Sequence, residues 1–164
     1  MRMHATEFVG AIDGQDVPPV VVLVGAEGLL VRQSAAAIAR AVLGEQGEED
    51  LSRRNGDDNT WRDIHDELAT VSMFAERRVV LVDDAEQFIK QNRSTLEEYV
   101  AAPIRKSVLI LQPKSFPGNT RLAKAVKASG AVVECTPLEG AALLRWLGGV
   151  AGEQHAIELT RDAA

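Results

Sequence analysis

The chain has 164 residues, 46% hydrophobic and 26% charged, with a net charge of −6. That composition supports one full domain with a sizeable core, excludes a disordered chain, and gives no overall electrostatic pull on nucleic acid. The single cysteine, Cys135, excludes an internal disulfide, and residues 1–10 carry no secretion signal, which together point to a reducing cytoplasm.

In chain order, the first strong apolar run is residues 20–24, Val-Val-Val-Leu-Val, which is far too short to cross a bilayer. It is continuous rather than alternating, as expected of a strand buried on both faces. A helical pattern follows over residues 28–43, with Leu30, Ile38, Ala41 and Val42 near one face and Gly44 placed to stop it. A weaker strand signal lies at residues 51–54. Residues 60–70 then place Trp61, Ile64 and Leu68 at helical spacing. The run at 79–82 is a second buried strand. Residues 94–102 group Leu96, Tyr99 and Val100 before Pro103 breaks the helix. Residues 108–111 form the next buried strand, and Asn119 and Gly130 are placed to cap the helix between them. Residues 131–133 complete a set of five strands, and 139–147 form a last amphipathic helix. The alternation predicts an α/β fold, a five-stranded parallel sheet with helices on both faces. Ligand chemistry on such a sheet belongs at the carboxyl ends of the strands, here Gly25, Asp83–Asp84 and residues 112–114.

The turn after the first buried strand reads Gly25-Ala26-Glu27-Gly28, where a phosphate-binding loop would sit. A working loop needs a second glycine, a lysine and a hydroxyl, so that amides and a cation surround the phosphates. The matching positions hold Leu30, Val31 and Arg32, and Glu27 places a negative charge at the helix start. The expectation is a tight strand-to-helix turn in which Glu27 favours the helix dipole and opposes phosphate. Asp83, Asp84 and Glu86 resemble a Walker B segment, whose carboxylates hold magnesium against a nucleotide. Without a phosphate loop they read as a strand exit and a helix start. A receiver-type phosphorylation site does not close either. Lys114 follows Pro113 instead of preceding it, and the first buried strand ends in Gly25 without acids.

His4, His65 and His155 lack metal-ligand spacing, Cys135 has no nominated partner, and Ser34 and Ser107 sit in no nucleophile motif. No catalytic residue, metal site or cofactor is predicted. Arg121, Lys124 and Lys127 recur every three residues, opposite Leu122, Ala123 and Val126. That stripe reads as a solvated helix face, though an acidic protein surface or a phosphate backbone would also suit it.

The run from Val71 through Ser72, Met73, Phe74, Ala75, Glu76, Arg77 and Arg78 to Val80 resembles the clamp-contacting segment of bacterial DNA polymerase III delta subunits. In that family a serine, a large aliphatic residue and a phenylalanine precede small and charged residues, then a buried strand. Residues 22–30 resemble the family's first strand and its defective phosphate loop, 108–111 its fourth strand, and 130–135 with 143–147 the end of the domain and the helix that leaves it. Two positions depart: Ala69 stands where relatives often carry glutamine, and Met73 replaces the commoner leucine at similar volume.

The resemblance implies an AAA+-like, P-loop NTPase-type fold with a degenerate nucleotide site at Gly25, Glu27, Gly28, Asp83 and Asp84. It implies a clamp-loader subunit that binds and opens the sliding clamp through Ser72, Met73 and Phe74 without hydrolysing ATP. Partners would be the sliding clamp and the other clamp-loader subunits, with DNA met only through the complex and no membrane. Relatives run to roughly twice this length. Residues 1–150 would then be the AAA+-like N-terminal domain and 151–164 the start of a lid domain, the chain being truncated. The competing readings are an active P-loop-type ATPase or kinase and a receiver-like phosphorylation domain.

Overall fold

A computed structural model of the chain describes residues 1–12, 16–70, 77–137, 144, 145, 147 and 148. The sheet within these residues is wholly parallel, in the order β1-β6-β2-β5-β4-β3. It has six strands instead of the five expected from the apolar runs. The central strands are β2 (Val20–Val24), β4 (Arg78–Asp83), β5 (Ser107–Gln112) and β6 (Ala131–Glu134), and β3 (Ser52–Asn55) forms one edge. The added strand is the other edge, β1 (Arg2–His4), which pairs with β6 from Arg2 opposite Val132 to His4 opposite Glu134. Arg-Met-His carries no β-branched residue and no apolar run, so local propensity gives no strand signal. Its pairing comes from tertiary contacts, among them an Arg2–Glu134 ion pair at 2.8 Å to the neighbouring strand.

The four central strands are buried on both faces, and their side chains alternate between two cores. On one face Val20, Val22, Val80, Val82, Leu109, Leu111 and Val132 pack against four helices. These are α4 (Trp61–Ala69), α5 (Glu86–Gln91), α6 (Arg93–Ala101) and α7 (Arg121–Ser129). On the other, Val21, Leu23, Val79, Leu81, Val108, Ile110, Ala131 and Val133 pack against α1 (Ala5–Ala11) and α2 (Gly28–Leu43). A single turn, α3 (Gly47–Asp50), follows α2. Val21, Val22, Leu23, Leu109 and Ile110 have no exposed surface. Each such side chain contributes roughly 1.5–3 kcal/mol by leaving water.

Local chemistry accounts for the helix limits. Glu27 caps α2 and Gly44, at φ +95°, ends it as expected. Thr60 and Asp63 form a reciprocal capping box at the start of α4, where the Asp63 N–H donates to the Thr60 hydroxyl and the Thr60 N–H to the Asp63 carboxylate. The cap of α7 is Thr120, whose hydroxyl accepts the Ala123 N–H at 3.1 Å, and not Asn119. Both residue types cap well, and the structure uses the one nearer the helix. Of the expected last helix, Leu144, Arg145 and Leu147 are helical, as is Gly148 just beyond it, and the rest lies outside the described residues.

Candidate functional site

The carboxyl ends of β2, β4, β5 and β6 converge on one edge of the sheet. β2 and β4 flank β5, so their ends lie about 10 Å apart at ordinary strand spacing. Gly25, directly after β2, has φ +134°, and a Cβ there would stand 2.2 Å from the Cys135 carbonyl oxygen. Only glycine fits this turn. Two amides of the turn are bonded to neighbouring strand ends. The Gly25 N–H donates to the Pro113 carbonyl and the Glu27 N–H to the Cys135 carbonyl, each at 3.2 Å. The Leu29 N–H reaches the Glu27 carboxylate at 3.4 Å. In a phosphate-binding loop these donors would face an anion. Here three of them are engaged by the chain, and Glu27 covers the helix start with its own charge.

Across β5, the carboxylates of Asp84 and Glu86 are committed to neighbours, and Asp83, the last residue of β4, is held through its backbone carbonyl. Asp84 adopts φ +48°, and its carboxylate accepts from the Asn55 side-chain amide at 3.3 Å. The Gly56 N–H donates to the Asp83 carbonyl at 2.7 Å, and a Cβ on Gly56 would stand 2.7 Å from the Asp84 carbonyl oxygen. Burial raises the Asp83 carboxyl above its ordinary value. Arg53 opposes that shift and Asp84 adds to it. Glu86 opens α5, as the strand-exit reading expected, but its carboxylate takes the Lys114 N–H at 2.5 Å. Sequence patterns did not reveal Asn55, Gly56 or the Lys114 amide as partners, because they come from the ends of β3 and β5 and not from β4 itself.

The remaining chemical side chains have structural surroundings. His4 caps α1, with Nδ1 accepting the Thr6 N–H at 3.3 Å and Nε2 lying 2.9 Å from the Thr136 carbonyl. His65 packs against Trp61 and Tyr99 at ring separations of 5.6 and 6.1 Å, and those two rings also touch each other at 5.1 Å. His155 lies outside the described residues. Burial pushes the Cys135 thiol up to about 11, against a smaller opposing effect of Ser34, so it is a neutral core group at physiological pH. Arg121, Lys124 and Lys127 are exposed while Leu122, Ala123 and Val126 are buried, as the solvated-face reading expects. Among the described residues no group of His, Cys, Asp or Glu could hold a metal ion, and no helix is long and apolar enough to cross a membrane.

Ser72, Met73 and Phe74 lie outside the described residues. The flanking positions are described. Thr70 ends α4 and Arg78 begins β4, so the intervening segment starts and finishes at the amino ends of the strands. That is the edge opposite the Gly25 and Asp83 turns. The Arg78 Nε–H donates to the Thr70 carbonyl at 2.9 Å and joins the two ends.

The fold is that of an AAA+-like, P-loop NTPase-type α/β domain in which the Gly25, Glu27 and Leu29 amides of the turn are engaged by the chain itself. A family model described as DNA polymerase III, delta subunit, matches residues 22–136, and the chain belongs to that family. Among solved structures the chain is similar to the DNA clamp loader delta protein of Bacillus subtilis. The TM-score is 0.71, with 21% identity over 92% of this chain and 47% of that one. It is also similar to a DNA polymerase III gamma subunit-related protein from Thermotoga maritima. There the TM-score is 0.52, with 15% identity over 90% of this chain and 48% of that one. At these identities the likeness establishes the fold. The chain spans about half the length of either structure. No curated protein matches it.

Proposed function

We propose that the chain binds and opens the sliding clamp as the delta-type subunit of a DNA polymerase III clamp loader, and that it does not itself hydrolyse ATP. The family match over residues 22–136 carries this reading. Ser72, Met73 and Phe74 are the clamp contact, an aliphatic and an aromatic side chain entering an apolar pocket, the usual form of an interface hot spot. Partners are the clamp and the other loader subunits, with DNA reached through the assembly in the cytoplasm. Residues after about 150 begin a following lid domain.

The non-hydrolytic role is supported by the engaged amides of Gly25, Glu27 and Leu29 and by the absence of lysine and hydroxyl from residues 25–32. A nucleotide would meet the Glu27 carboxylate where it needs a cation. Retention of the chain on its own organism's immobilised sliding clamp tests the binding role, and a failure to bind would refute it. Calorimetry with ATP and magnesium tests the other half. No saturable heat is expected, and micromolar binding would overturn it.

A further inference from the structure

We propose that Arg78 is a positioning residue that pins together the two ends of segment 71–76. Its consequence for clamp binding rests on the reading of Ser72, Met73 and Phe74 given above, whereas the pin stands on residues 52–78 and Ser107.

A helix C-terminus leaves carbonyl groups without intrahelical partners, and many helices meet this need with a single glycine cap. The last turn of α4 has no glycine and is tied from several elements. The Thr70 hydroxyl donates to the Asp66 carbonyl at 2.6 Å and the Thr70 N–H to the Glu67 carbonyl at 3.2 Å. The buried Ser107 hydroxyl, on the first residue of β5, donates to the Leu68 carbonyl at 2.6 Å. Arg78, the first residue of β4, reaches the Thr70 carbonyl at 2.9 Å and lies 3.9 Å from the Glu67 carboxylate. Glu67 is 13% exposed, and it also receives Arg54 of β3 at 2.8 Å and the Ser52 hydroxyl. By contrast, α2 ends on the N–H of Gly44, donated to the Arg40 carbonyl. Ile64 and Leu68 already bury the apolar face of α4, so the polar ties add direction where hydrophobic burial gives only adhesion. They converge where the chain leaves for segment 71–76, and Arg78 alone among them also holds the point of return. Fixing both ends of a short segment lowers the ordering cost of presenting it to a partner.

Chymotrypsin digestion of the free chain, well below its melting midpoint, tests the pin without a clamp. Cuts at Phe74 and Phe88 are located by mass spectrometry. Phe88 is 1% exposed, so its cut reports global opening and serves as the internal clock. Arg78→Met should raise the ratio of Phe74 to Phe88 cutting about tenfold, the factor equivalent to about 1.4 kcal/mol. Arg62→Met removes the same charge from the exposed Arg62–Asp66 pair of the same helix and should leave the ratio unchanged. Arg78→Lys keeps a cation near Glu67 but has no Nε–H for the Thr70 carbonyl. It should behave like Arg78→Met, and it carries the test if the methionine variant fails to fold. A wild-type ratio in either Arg78 variant overturns the pin, as does an equal rise in Arg62→Met. Clamp binding by the same proteins separates the two claims. A tenfold loss in the Arg78 variants supports the positioning role. Normal binding by a Met73→Ala, Phe74→Ala protein, together with faster Phe74 cutting in the Arg78 variants, removes the clamp site and leaves the pin.

Discussion

Asp83 shows how a residue suited to nucleotide chemistry is held in a structural setting. Its carboxyl is raised above the ordinary 3.8 chiefly by burial. Folding therefore favours the protonated form. The ionised form weighs against the fold at pH above the raised pKa, and the penalty disappears as pH falls through 3.8. Asp83→Asn lacks this titration. Relative to the wild type it should gain stability as pH rises from about 4 to 7, read from urea midpoints across that range. A difference that does not change with pH would show that Asp83 is as well solvated in the fold as in the unfolded chain. At the same edge Gly25 is fixed by sterics, and its glycine was legible in the sequence as a strand-to-helix turn. The orientation of its amides was not legible, because their acceptors, Pro113 and Cys135, lie some 90 and 110 residues away along the chain.

Capping chemistry separates sequence expectation from structure at the scale of an element. Asn119 and Thr120 are adjacent residues of capping type, and only Thr120 bonds the Ala123 N–H. Thr120→Ala should cost about 1 kcal/mol in chemical denaturation, and Asn119→Ala less than about 0.5 kcal/mol. The reverse order would restore Asn119 as the cap. The buried strands were readable because parallel strands covered on both faces show as unbroken Val, Leu and Ile runs. α2 and α4 were readable because their apolar spacing is flanked by good stop and start residues, Gly44 and Thr60. β1 was not readable, since its pairing with β6 is decided by contacts more than a hundred residues distant. The ties around Glu67 escaped for the same reason. Their donors come from β3 and β4, and periodicity within α4 cannot identify them.

For the whole molecule, the proposed function assigns different roles to the two ends of the strands. The carboxyl edge carries the turns of a nucleotide-binding fold, with the Gly25, Glu27 and Leu29 amides and the Asp84 and Glu86 carboxylates engaged internally. The amino edge holds Thr70 and Arg78, which flank the proposed clamp contact in the sequence. The proposed domain boundary near residue 150 makes its own prediction. In hydrogen exchange, amides of residues 157–161 should be much less protected than those of 79–82 in β4. Equal protection would move the boundary beyond the end of this chain.

The central claim is that Met73 and Phe74 serve a partner and not their own core, and a double substitution of both to alanine tests it most directly. Truncating an interface anchor costs about 2 kcal/mol or more of binding, whereas truncating a core aromatic costs roughly 3–5 kcal/mol of stability. Affinity for the organism's own sliding clamp and thermal unfolding are measured on the same protein. Clamp affinity should fall at least about thirtyfold, the factor corresponding to about 2 kcal/mol, while the melting temperature barely moves. Wild-type clamp affinity, or a melting temperature many degrees lower, would contradict the account.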